Sequence, residues 1–139
     1  MASFDLSIDI GRPPIDVYEA FVDLTQHALA WDKKLHSIQR GGGPFGVGMS
    51  YKTERKVKGR MKDGTIRVLG QDPRESIDWE AECDGVTSTY TTRFERVEGG
   101  SRLSVTGQAA GTPLATSSVK RYWEKQLPRI KADLEGTGG

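Results

Sequence analysis

Six apolar residues near the end of the chain set the strongest limit on what it can fold into. Ala115, Val119, Trp123, Leu127, Ile130 and Leu134 are separated by 4, 4, 4, 3 and 4 positions, which aligns them on one face of an α-helix. Lys120, Arg121, Glu124, Lys125 and Lys131 fall off that stripe. Thr112 and Pro113 offer an N-cap hydroxyl and an N1 proline. The spacing therefore predicts a helix over Pro113–Glu135, about 34 Å long. Such a helix crosses a whole small domain, and its stripe needs a cover of the same length. Pro128 lies inside it, at a cost of about 3 kcal/mol or more and with a bend in the axis. A helix that follows a curved surface accommodates that bend. Gly136 to Gly139 read as a frayed tail.

The cover is written upstream. Phe4, Leu6, Ile8 and Ile10 alternate with Asp5, Ser7 and Asp9, the period-2 mark of a half-buried strand. Gly11-Arg12-Pro13-Pro14 ends it and opens a helix carrying Ile15, Tyr18 and Phe21/Val22. A second short helix over Thr25–Trp31 places Leu24, Ala28 and Trp31 on one face. Six strands follow, near Ser37–Arg40, Val47–Val57, Thr65–Gly70, Ser76–Cys83, Thr87–Arg96 and Arg102–Ala110. Turns are expected at Gly41–Pro44, Lys62-Asp63-Gly64, Asp72-Pro73, Asp84-Gly85 and Glu98-Gly99-Gly100. Connections this short require antiparallel pairing, since a parallel crossover needs about a dozen residues or more. Parity sorts the faces. Met49, Tyr51 and Thr53 oppose Ser50, Lys52 and Glu54, and Ile77, Trp79, Ala81 and Cys83 oppose Asp78, Glu80 and Glu82. Tyr90, Thr92 and Phe94 share the apolar face with Leu103 and Val105, and the other face is wet.

The length of 139 residues fits one domain spanning 1–139, with enough chain for one sizeable core. Twenty basic and 19 acidic residues leave a formal charge of +1, which offers no global field for nucleic acid. No stretch approaches the roughly 18 apolar residues of a membrane span. Cys83 is the only cysteine, so no intrachain disulfide forms. Met1 to Gly11 lacks a basic segment followed by a long apolar run, unlike a signal peptide. The reading is a cytoplasmic protein, monomer or homodimer.

Several phrases carry a family resemblance. They are Ser7-Ile8-Asp9-Ile10 running into Pro13-Pro14, Val17-Tyr18-Glu19-Ala20-Phe21-Val22-Asp23 and Trp31. Further on come Gly46-Val47-Gly48-Met49, Asp72-Pro73-Arg74-Glu75, Thr89-Tyr90-Thr91-Thr92-Arg93-Phe94 and the closing Leu127 to Glu135. Together they resemble the START-like (SRPBCC) superfamily, most closely its bacterial polyketide cyclase/dehydrase branch, which is similar to the plant pathogenesis-related allergens. The resemblance implies an α+β helix-grip fold. In it a curved, seven-stranded antiparallel sheet surrounds the long C-terminal helix, and two short helices follow the first strand. It also implies a cavity between sheet and helix. It brings no shared catalytic motif to transfer, because this scaffold hosts binders, carriers, cyclases and chaperone activators.

The remaining chemistry is sparse. Gly41 to Gly48 lacks the Gly-Lys-Ser/Thr ending of a phosphate loop and leads into a strand, so it reads as a turn. His27, His36 and Cys83 are too few and scattered for a metal site, and no cofactor is implied. His36 reads as a surface residue, and Asp78, Glu80 and Glu82 as a solvated face. The informative group is aromatic. Trp31, Tyr51, Trp79, Tyr90, Phe94 and Trp123 are expected to point inward, as core or as walls for a flat or lipid-like ligand. Met49, Thr53, Ala81, Thr92 and Val119 complete the expected lining. Arg55 continues the Met49–Tyr51–Thr53 parity, and a cation there would suit a carboxylate or phenolate. His27, Arg55, Tyr51 and Tyr90 are the candidates for polarising a carbonyl or moving a proton. Three functions are thus in play. The first is binding of a small hydrophobic or aromatic, polyketide- or lipid-like ligand. The second is cofactor-free cyclase/dehydratase chemistry on such a ligand. The third is a protein-interaction module of the chaperone-activator type.

Overall fold

A computed structural model describes residues 3–137. Strand β1 (Phe4–Ile10) leads through helices α1 (Pro14–Val22) and α2 (Leu24–Trp31) into six further strands. These are β2 (Leu35–Arg40), β3 (Ser50–Val57), β4 (Arg60–Asp72), β5 (Ser76–Cys83), β6 (Val86–Val97) and β7 (Gly100–Ala110), and helix α3 (Ala115–Thr137) closes the chain. The seven strands form one antiparallel sheet in the order β1-β7-β6-β5-β4-β3-β2. β1 and β2 occupy opposite edges, so α1 and α2 carry the chain from one edge to the other. The fold is a helix grip, with the sheet wrapped around α3.

The grip is fastened at both ends of α3. At its start, the Thr116 hydroxyl accepts from the Ala109 N–H (3.2 Å) and donates to the Ala109 carbonyl (3.0 Å) at the end of β7. At its other end, Glu135 accepts from the Gly11 N–H (2.7 Å), Lys131 donates to the Asp9 carbonyl (2.8 Å) and Arg12 to the Leu134 carbonyl (3.2 Å). Pro128 lies on the exposed side of α3, so the helical bond it cannot donate is lost next to water. The helix starts two residues later than the Thr112–Pro113 signal predicts, because Thr112 uses its carbonyl to accept from the Ala115 N–H (3.1 Å) in a preceding turn. It also continues through Gly136, where a frayed tail is expected; Gly138 and Gly139 lie outside the described residues.

The largest differences in strand boundary from the sequence reading fall at β3 and β4, while β2 and β7 each begin two residues early. β3 begins at Ser50, and Val47 is left on an exposed loop. β4 is far longer than Thr65–Gly70, because Lys62-Asp63-Gly64 is strand and the turn sits at Lys58-Gly59, with φ of 51° and 80°. Positive φ at both central residues is the geometry of a tight two-residue hairpin. Gly64 serves crowding instead of turning. A Cβ there would lie 2.7 Å from the Glu82 carbonyl and 2.8 Å from the Thr53 hydroxyl, on the concave side of the sheet. Register shifts between Val68 and Gly70, and between Leu35 and Ser37, add local twist to the same half of the sheet.

The core is dense at one end of the grip. Phe21 packs against Phe94 with centroids 5.5 Å apart, and Tyr18 meets Phe94 edge-on at 5.5 Å. Val17, Leu103, Val105 and Ile130 are fully buried among the same elements. The Gly-rich connection between β2 and β3 does more than turn, since its Phe45 folds back edge-on against Trp79 (6.1 Å).

Candidate functional site

The other end of the grip is hollow. A cavity of about 450 Å³ lies between α3, α2 and the concave faces of β3 to β6. That volume is in the range of small-molecule sites. Its walls are aromatic and apolar: Trp31 comes from α2, Trp79 and Ala81 from β5, Tyr90 from β6, and Val119 and Trp123 from α3. Phe21, Leu24 and Ile66 complete the inner wall, while Lys58, Glu82, Asp84, Thr112 and Ser118 ring the open end.

The aromatic walls are held rigidly. Tyr90 stacks on Trp79 at 17° with centroids 6.4 Å apart, and meets Trp123 edge-on at 5.1 Å. Trp79 donates its indole N–H to the Thr92 hydroxyl (3.0 Å), which donates to the Ile77 carbonyl (3.4 Å). Trp31 donates to Asp133 (3.0 Å). Trp31 and Trp79 thus line the cavity with their indole N–H groups satisfied by protein acceptors.

One polar cluster interrupts the apolar lining. Arg55 projects from β3, at the parity expected for it, and pairs with Asp32, which follows α2. Asp32 is almost wholly buried and accepts also from the Tyr122 hydroxyl (3.0 Å) and the Lys34 N–H (3.0 Å). The Arg55 guanidinium lies 4.9 Å from the centroid of the Tyr122 ring, a cation–π contact. Burial pushes the Tyr122 hydroxyl up to about 12 and raises Tyr90 further, so both phenols stay protonated and act as hydrogen-bond donors. Burial also raises the Cys83 thiol, which stays protonated in the wall near neutral pH.

The expected lining residues divide into two groups. Trp31, Thr53, Trp79, Ala81, Tyr90, Val119 and Trp123 meet in the cavity wall, together with Arg55. Met49, Tyr51, Thr92 and Phe94 share the inward parity but do not reach it. Phe94 fills the dense end against Tyr18 and Phe21. Thr92 stands behind Trp79 as its hydrogen-bond acceptor, and Met49 and Tyr51 are packed into the core. Parity reports the inner face of a strand; how far along that face the hollow extends depends on α1 and α3. His27 is also elsewhere. It pairs with Asp133 through Nδ1 (2.9 Å) and stacks on Trp31, in a shallow cleft with Arg12, Asp16 and Glu19. Ala28 takes the inward position of that helix turn and leaves its neighbour His27 facing α3. His36 is exposed on β2, and the Asp78 carboxylate accepts from the Thr91 hydroxyl (2.6 Å) on the outer face. Among the described residues no group of three or more His, Cys, Asp or Glu is placed to hold a metal ion.

Asp32, Tyr122 and Gln126 line the site and are among the members that escaped the sequence reading. A signal for two of them exists. Val119, Tyr122, Trp123, Gln126 and Ile130 follow 3-and-4 spacing, so a gripped helix buries a wider arc than its apolar stripe alone. Asp32 carried the weaker signal of an aspartate closing a helix before a two-lysine turn.

Comparison with known proteins agrees with this architecture. No curated protein matches the sequence. Among solved structures, Ara h 8.0201 shares the fold with a TM-score of 0.78 at 18% identity, over 96% of this chain and 97% of that one. A protein from Chromobacterium violaceum aligns with a TM-score of 0.74 at 25% identity, over 97% and 99% of the two chains. The Zhui aromatase/cyclase from a Streptomyces species aligns at 0.76 and 15% identity, over 96% and 93%. No helix among the described residues is long and apolar enough to cross a membrane. The sequence profile of one family, described as polyketide cyclase / dehydrase and lipid transport, matches residues 1–135, and the chain belongs to that family.

Proposed function

We propose that this protein binds a small, flat hydrophobic ligand of polyketide- or lipid-like character in the cavity under α3. The observation that carries the reading is the roughly 450 Å³ hollow walled by Trp31, Trp79 and Trp123 in a fold whose opposite end is closely packed. An empty apolar hollow forfeits packing contacts along its whole lining, and a ligand of matching shape restores them. The test uses the chain's own tryptophans as reporters. A hydrophobic ligand series should quench or shift their emission, and Ala81→Trp, which fills the cavity from β5, should abolish the response while circular dichroism stays unchanged. A response that survives Ala81→Trp would move the site elsewhere. Native mass spectrometry of freshly purified protein, followed by organic extraction, would identify a co-purifying ligand by chemical class.

A second reading, cyclase/dehydratase chemistry, has one specific support: two neutral phenols and a guanidinium face the same apolar space. In that case Arg55 and Tyr90 would polarise a carbonyl while the aromatic walls fold the chain. Tyr90→Phe separates the two. A binder keeps its affinity within a few fold, whereas an enzyme that needs that hydroxyl loses on the order of 10² in turnover.

A further inference from the structure

The polar groups of the cavity specify the charge and the functional group of its ligand, provided that the cavity binds one. Among the described residues the only cation deep in the lining is Arg55, and it is already neutralised by Asp32. Its partner Asp32 is 7% exposed and holds three donors, from Arg55, Tyr122 and Lys34. The other charged lining residues, Lys58, Glu82 and Asp84, are exposed at the open end, and Asp84 is paired with Lys62 at 3.5 Å. A carboxylate carried to the inner wall would shed its hydration and meet a guanidinium whose charge is already neutralised, beside the buried Asp32 anion.

One turn along α3 from Tyr122 stands Gln126. It lines the cavity between Trp123 and Ile130 and is 4% exposed, and its Oε1 has no hydrogen-bond partner among the described residues. A leucine at that position would continue the apolar wall. A buried amide oxygen without a partner is instead a standing cost, removed when something inside the cavity donates to it. The two ends of an amide exchange by a half-turn of the terminal torsion, so Gln126 receives an O–H or donates an N–H without moving its stem. The Arg55 Nε is likewise buried and unpartnered.

We infer that the ligand is an uncharged aromatic compound bearing a hydroxyl, which the Gln126 amide receives, and that Asp32 closes the site to carboxylates. The flat body lies along Trp79, Tyr90 and Trp123, and a carbonyl on the same ligand would meet the Arg55 Nε.

Naphthol, naphthoate and naphthalene form a matched probe set that differs only in this group. Each is titrated into the full chain near neutral pH, with tryptophan emission as the readout. Wild type should bind naphthol about fivefold or more tighter than naphthalene, the yield of one neutral hydrogen bond, although naphthalene is the more hydrophobic. Naphthoate should bind most weakly of the three. Gln126→Leu should erase the advantage of naphthol over naphthalene. Asp32→Asn, which leaves Arg55 uncompensated, should raise naphthoate affinity about tenfold with naphthol little changed. Tightest binding of naphthoate by wild type, or a naphthol preference that survives Gln126→Leu, would overturn the assignment and leave the binding function standing. Failure of all three to bind would overturn the binding function itself. If Asp32→Asn does not fold, the wild-type ranking and Gln126→Leu decide the question without it.

Discussion

The Asp32–Arg55 pair permits a stability experiment whose size follows from burial. Asp32→Ala strips the Arg55 guanidinium, the Tyr122 hydroxyl and the Lys34 N–H of a shared acceptor. Breaking a fully buried ion pair from one side costs about 3–5 kcal/mol. The Arg55 side chain retains 23% exposure, enough for water to reach part of it, which places the loss at the lower end, about 3 kcal/mol. Arg55→Met removes the cation but leaves Asp32 bonded to Tyr122 and Lys34, so its cost should be smaller, about 2 kcal/mol. The double variant removes both charges and keeps an apolar stem against Tyr122. Instead of the additive loss of about 5 kcal/mol, it should lose about 2 kcal/mol, a coupling of about 3 kcal/mol. Urea unfolding of the four proteins measures this directly, and an unchanged slope shows that the comparison stays two-state. A domain of ordinary stability, about 5–15 kcal/mol, leaves each variant enough to fold. Additivity within about 0.5 kcal/mol would refute the reasoning, because it would show that the two charges are screened from each other by solvent.

Two further outcomes follow from the walls of the cavity. Thr92→Val should cost about 1–3 kcal/mol and alter the emission of Trp79, because it leaves that indole N–H buried without an acceptor; an unchanged melting point would mean that water replaces the hydroxyl. Stability should fall as pH rises above about 10. In the unfolded chain the phenols release their protons near their ordinary value of 10, whereas the native state holds the Tyr122 proton to about 12 and the Tyr90 proton higher. The folded state then binds more protons than the unfolded one, which makes the slope negative across that window. Denaturant midpoints measured at stepped alkaline pH would show it, and Tyr122→Phe should flatten the decline.

The architecture was legible in the residues because it rests on periodicity. Alternation in Phe4–Ile10 and Ser76–Cys83, the 3-and-4 spacing of Ala115 to Leu134 and the glycine and proline punctuation each report a local geometry. Local signals misled where a residue serves a distant neighbour. Gly64 looks like a turn, yet it is a strand residue whose missing Cβ makes room for the Glu82 backbone and Thr53.

The sequence by itself determined the element order, the inward face of each strand and the aromatic character of what those faces enclose, since side-chain direction in a strand or helix follows from position alone. It also placed Arg55 on the inner face. Only the tertiary structure decided where along that face the interior is hollow, because a cavity is set by which side chains of α1, α2 and α3 arrive opposite each strand. Phe94 therefore became core and Tyr90 became wall, although they share one parity. The same holds for charge. Asp32 stands 23 positions before Arg55, at the end of a different element, and nothing local to either residue announces the pair. Folding brings the two together and so converts an inward cation, suited on its own to an anionic ligand, into a neutral wall.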